Sequence, residues 1–71
     1  MRNWLKKLRM DNGMTQREVA DKLGIVQHYY SMIETGERQR DIDFSLIIKL
    51  SELFNVSIEW IAGQENENKA R

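Results

Sequence analysis

Met14-Thr15-Gln16-Arg17-Glu18-Val19-Ala20-Asp21-Lys22-Leu23-Gly24-Ile25-Val26-Gln27-His28-Tyr29-Tyr30-Ser31-Met32-Ile33-Glu34-Thr35-Gly36 is the stretch that decides the fold. It reads as two short helices joined by a tight turn. Thr15 stands where an N-cap belongs and Glu18 follows three residues later, the spacing of a capping box. Val19, Ala20 and Leu23 then recur at helical spacing, and the small Ala20 lets a second helix approach closely. Gly24 and Gly36 each follow a periodic segment, where a left-handed residue ends a helix without a Cβ penalty. Ile25, Tyr30 and Ile33 give the second helix an apolar stripe, leaving Gln27, His28, Tyr29 and Met32 on its other faces. A helix pair crossing at roughly 90–120° holds its second member clear of the body, and such a helix fits a groove about 12 Å wide in duplex DNA.

Outward from this pair the chain keeps the same period. A first helix is expected over residues 3–12, capped by Asn3, with Leu5 and Leu8 inward and Gly13 stopping it. Asp43 caps a fourth helix, in which Phe44, Ile47, Leu50, Ser51 and Phe54 form the expected core face, with Leu46, Ile48 and Leu53 off it. Asn55 ends that helix. Ser57 caps a short fifth helix, residues 58–62, with Val56 and Ile61 inward and Gly63 as terminator. No segment alternates with the period of a strand. The expectation is an all-α chain of five helices, residues 1–63 forming one domain and residues 64–71 a polar, disordered tail.

The chain has 71 residues, no cysteine and one histidine. That excludes disulfides and thiolate metal sites, and a reducing, cytoplasmic setting is the natural reading. No cofactor and no metal are expected. No apolar run approaches the roughly 18 residues of a membrane span. An enzyme has no parts to draw on, for there is no nucleophile–base set and no glycine-rich phosphate loop. Net charge is zero, yet it is unevenly placed: residues 1–40 hold eight Lys/Arg against five Asp/Glu, a balance of +3, and residues 41–71 carry −3. The half with the helix pair is the half suited to phosphates, and salt is expected to weaken its binding.

Leu5-x-x-Leu8-Arg9, Gly13-x-Thr15-Gln16, Ala20-x-x-x-Gly24-Ile25, Ile33-Glu34-x-Gly36 and Val56-Ser57-Ile58-Glu59-Trp60-Ile61 together resemble the phage repressor and Cro family of helix-turn-helix regulators, the XRE family. The resemblance spans residues 3–63. It implies a compact five-helix bundle of the lambda-repressor type, the helix-turn-helix being helices two and three. It also implies a homodimeric transcriptional regulator, a repressor, on double-stranded DNA with a near-palindromic operator. The same fold serves, as an alternative, in antitoxins and in regulators whose main partner is a protein; a protein or peptide modulator is not specified by these residues.

Position by position, the resemblance makes Gln27, His28 and Met32 the base readers. The glutamine amide matches adenine N6 and N7, and the thioether suits a thymine methyl. Thr15, Gln16, Arg17, Tyr29, Thr35, Arg38 and Arg40 become sugar-phosphate contacts, with Gln16 anchoring a phosphate at the start of helix two. Arg9 and Glu34 become a structural ion pair between helices one and three. Ile58, Trp60 and Ile61 become the dimer contact, with Leu46 and Ile48 beside them. Two departures stand out: Val26 occupies the cap of helix three where Ser or Thr is usual, and the loop after Gly36 is longer than the family pattern and lacks its proline.

Overall fold

Local chemistry starts each helix. In the computed structural model, which describes residues 1–36 and 42–69, with side chains as far as Glu67, the chain forms α1 (Asn3–Asp11), α2 (Gln16–Leu23), α3 (Gln27–Thr35), α4 (Phe44–Phe54) and α5 (Ile58–Lys69). No strand occurs among the described residues. The chain is all-α, as expected from the period of its apolar residues. It divides into two compact units, Met1–Arg40 and Asp41–Arg71.

In the first unit the capping box of α2 is complete. Thr15 Oγ1 accepts the Glu18 N–H at 3.1 Å, and Glu18 Oε1 accepts the Thr15 N–H at 2.8 Å. Two of the first-turn donors that a helix leaves without partners are satisfied this way. The helix ends at Gly24, whose φ of 74° is left-handed, and the Ile25 N–H returns to Ala20 O at 3.0 Å. That reversal is what sets α3 across α2. Leu5, Val19, Ala20, Leu23, Tyr30 and Ile33 are all buried, and they form the apolar interior of this unit. Complete burial of such side chains contributes about 1.5–3 kcal/mol each, the main term opposing chain entropy.

Helix α1 does not begin as expected. Asn3 is exposed, and the residue in the cap position is Arg2, which offers no side-chain acceptor and is itself buried. Its ties run to α3.

In the second unit Asp43 Oδ1 accepts the Leu46 N–H at 2.9 Å, which starts α4, and Asn55 ends it in the left-handed region at φ 56°. Ser51 Oγ then donates to Val56 O at 2.6 Å, bracing the turn into α5, and Ser57 Oγ accepts the Trp60 N–H at 3.0 Å as the expected cap. α4 packs against α5. Ile42, Leu46, Leu50, Phe54 and Ile61 are buried, whereas Phe44 is 65 % exposed. The core stripe of α4 is therefore Leu46-Leu50-Phe54, not the face through Phe44. Phe44 lies six residues from Leu50, about 120° around the helix at about 100° per residue, so one stripe cannot hold both. Helix α5 also departs from expectation. It passes through Gly63, which is not left-handed, and continues to Lys69. A single interior glycine costs only about 1 kcal/mol, and the Gln and Glu residues beyond it are good helix formers.

Candidate nucleic-acid interface

The face of α3 opposite the core carries Gln27 and His28, both exposed on its first turn, and Met32 four residues past His28, half-buried on the same side. Tyr29 is 37 % exposed. The first turn has no side-chain cap, since Val26 stands in the cap position and is 71 % exposed. Arg17 and Thr15 are exposed at the start of α2. The structure thus brings Gln27, His28, Tyr29 and Met32 together on one short helix, with Thr15, Gln16 and Arg17 at the start of the preceding one. Arg38 and Arg40 lie outside the described residues.

The opposite face of α3 is fixed by Glu34. This carboxylate is buried and accepts four hydrogen bonds, two on each oxygen. Arg9 Nε (2.9 Å) and the Tyr30 hydroxyl (2.7 Å) donate to Oε2; Arg9 Nη2 (3.0 Å) and Gln16 Nε2 (3.2 Å) donate to Oε1. The Arg9 contact is bidentate, and Arg9 Nη1 also donates to Met14 O at 3.0 Å, just before α2. A carboxylate with all of its acceptor sites filled has little to lose by being out of water. Residues from α1, α2 and α3 meet at this one group, so the mutual placement of the three helices is set by it.

Burial works against the ionised form of Glu34, but the bonds from Arg9, Tyr30 and Gln16 outweigh it and hold its pKa below the ordinary carboxylate value of 4.5. The Glu34 bond raises the pKa of Arg9, and burial together with that same carboxylate raises that of the Tyr30 hydroxyl, which stays a donor. At the exposed capping box, the Thr15 N–H lowers the pKa of Glu18. A folded-state pKa below the unfolded one contributes stability that is complete above the unfolded value and disappears as pH falls through the folded one. Thermal unfolding followed from about pH 5 downward is therefore expected to show falling stability, with a shallower pH slope in Glu34→Gln. Equal slopes in the two proteins would remove Glu34 as the source.

Several sites expected from the sequence take on a second role here. Gln16 gives one amide hydrogen to Glu34, so its second N–H is the one donor left for the expected phosphate contact. The Thr35 hydroxyl donates to Met32 O at 3.2 Å, so it can only accept from elsewhere. Tyr30, in the apolar stripe as expected, carries its hydroxyl onto the buried carboxylate. Of the three residues expected at a dimer contact, Ile58 and Trp60 are 38 % and 41 % exposed, but Ile61 is completely buried. Ile61 belongs to the interior and cannot touch a second copy without unfolding α5; Leu46 is buried likewise. Sequence reasoning missed Arg2 altogether, because nothing local distinguishes a buried arginine at a helix start from a solvated one. Among the described residues there is no cluster of three or more metal-ligating side chains, and no helix is long and apolar enough to cross a membrane.

The helix-turn-helix family matches the chain over residues 5–61. Three HTH-type transcriptional regulators of Bacillus subtilis (strain 168) are similar to it. The uncharacterized regulator YqaE is 38 % identical over 64 residues, 89 % of this chain and 53 % of that protein. The uncharacterized regulator YqaF is 50 % identical over 42 residues, 59 % of this chain and 55 % of its own length. ImmR is 38 % identical over 65 residues, 92 % of this chain and 50 % of its own. The chain spans about half the length of these curated relatives. No solved structure matches it.

Proposed function

The chain belongs to the XRE-type helix-turn-helix family, and from that premise we propose that it is a sequence-specific DNA-binding transcriptional regulator, a repressor, that reads a major groove with α3. One observation carries the reading: Gln27 and His28 are exposed on the first turn of a helix whose other face, Tyr30, Ile33 and Glu34, is buried and bonded in place. Base readout needs short polar side chains on a rigid support, because each bidentate amide or imidazole contact discriminates only at hydrogen-bond range.

In this reading Gln27, His28 and Met32 meet base edges. Thr15, Gln16, Arg17 and Tyr29, with Arg38 and Arg40, hold the backbone on either side and set the register; Thr35, whose hydroxyl hydrogen is spent on Met32 O, is not among them. The open first turn of α3 and the amides at the start of α2 favour phosphate by their dipoles. Two copies of the chain would place two such helices in successive major grooves about 34 Å apart, which requires a near-palindromic operator. Repression follows from occupying promoter DNA.

Selection of bound duplexes from random DNA tests this directly, followed by titration of the recovered duplex across salt. A preferred, two-fold symmetric site and a steep salt dependence are the expected results. A flat salt response with no preferred site would point to a regulator whose partner is a protein. On the recovered site Gln27→Ala is expected to cost about 1–3 kcal/mol of binding and to relax the preference at one base pair. An unchanged preference would remove Gln27 from the readers.

A further inference from the structure

α1 holds α3 at two places, and the ion pair of Arg9 is only one of them. At the other end of α1 the Arg2 backbone N–H donates to Glu34 O at 2.8 Å, and Arg2 Nη1 donates to Ile33 O at 2.6 Å. Arg2 is 3 % exposed. Glu34 is thus gripped through its main chain by the start of α1 and through its carboxylate by the end of α1. The carbonyls of Ile33 and Glu34 lie in the last turn of α3, where helix oxygens lack internal partners and the dipole is negative. α3 carries no basic residue in that turn. Arg2 supplies the missing cation and donors from a different helix. Desolvating a guanidinium is costly, so its position here reflects a specific use of those donors.

We infer that Arg2 is a positioning residue for DNA reading: by fixing the C-terminal end of α3 it sets the angle at which Gln27, His28 and Met32 are presented. This rests on the function proposed above. Tyr30 and Ile33 pack the buried side of α3 and Arg9 holds the Glu34 carboxylate, while the Arg2 guanidinium adds a bond to the main chain of the last turn, so that its loss frees that end to tilt by a small angle. Phosphate contacts tolerate a small tilt because they are largely electrostatic, whereas hydrogen bonds to base edges do not. Removing Arg2 therefore acts on the preferred duplex and spares random DNA.

The test uses the full chain, the duplex that wild type selects from random DNA, and a scrambled duplex of equal length. Arg2→Met keeps the stem and removes every side-chain donor; Arg2→Lys keeps a cation. In folded protein, Arg2→Met is expected to lose about tenfold on the selected duplex, the worth of one misaligned base contact. Its affinity for the scrambled duplex should change by less than about twofold, since Arg2 is buried and neutralises no phosphate. Lysine is expected to restore part of the ratio. A purely structural role would lower the melting temperature and leave the ratio alone, so a folded Arg2→Met with the wild-type ratio overturns the inference. If Arg2→Met does not fold, Arg2→Lys decides in its place: a selected-to-scrambled ratio below wild type is the expected result, and the wild-type ratio in folded Arg2→Lys overturns the inference. A wild type that selects no duplex overturns the DNA-reading function itself, and Arg2's part in it.

Discussion

Replacing Arg9 with Met is expected to lower the unfolding free energy by about 3–5 kcal/mol, because it strands the buried Glu34 carboxylate with half of its hydrogen bonds gone. Glu34 is 2 % exposed at its side chain and Arg9 13 %, so water cannot take the place of the guanidinium without reorganising the three helices around it. Chains of this size command only a few kcal/mol in total. Urea unfolding should therefore find Arg9→Met largely unfolded, or with a midpoint far below wild type. Pairing Arg9→Met with Glu34→Gln is expected to recover much of the loss. The amide is neutral, still accepts from Tyr30, and leaves no unpaired charge behind. The double variant being more stable than Arg9→Met alone is the signature of a buried charge rather than of lost packing. If Arg9→Met unfolds at the wild-type midpoint, solvent reaches Glu34 and the pair has no special role. The functional consequence is separate from the stability one. Gln16 takes its orientation from Glu34 Oε1, so on the proposed phosphate contact of Gln16 the affinity for duplex DNA should fall in a folded Glu34 variant that lacks an acceptor there.

What could be read from the chain was whatever is settled by near neighbours. Thr15 with Glu18, Asp43 with Leu46, Ser57 with Trp60, and the left-handed Gly24 and Asn55 are all decided within a few residues, and each ends or starts a helix where the residue types say it must. The same local logic predicted the exposed face of α3, since Gln27 and His28 directly follow a turn and lie off the apolar stripe. Misreadings came where the outcome depends on distant partners. Periodicity could not choose between two overlapping apolar stripes on α4, because Phe44 and Leu46 are both large and apolar, and only packing selects Leu46. Gly63 looks like a stop, yet a glycine ends a helix only when it turns left-handed; here the residues beyond it favour the helix more than the glycine opposes it. Arg2 was invisible because its partners, the carbonyls of Ile33 and Glu34, are more than thirty residues away. The ion pair of Arg9 and Glu34 spans 25 residues, and only the family resemblance suggested it.

Ile61 and Trp60 are adjacent in sequence, and their alanine variants are expected to fail in opposite ways. Ile61 is completely buried, so Ile61→Ala removes packed methylenes and leaves a cavity, at a cost of about 2–5 kcal/mol depending on how far the neighbours relax. Under conditions where it remains folded, its self-association should match wild type. Trp60, a step of about 100° around the helix, is 41 % exposed, with Ile58 at 38 % nearby in the first turn of α5. Tryptophan combines large apolar area with a donor, and residues of this kind carry disproportionate binding energy at interfaces, commonly about 2 kcal/mol or more. If two copies pair through α5, as the reading of Ile58 and Trp60 proposes, Trp60→Ala is expected to sediment as a monomer where wild type self-associates, with an unfolding midpoint close to wild type when both are compared as monomers. Its hold on a symmetric duplex should weaken much more than its hold on a half-site, because the second half-site contact ceases to be intramolecular. A dimeric Trp60→Ala would move the interface off α5. The surface to examine next would be the N-terminal end of α4, where Phe44 at 65 % exposure is an aromatic ring that the interior of its own unit does not use.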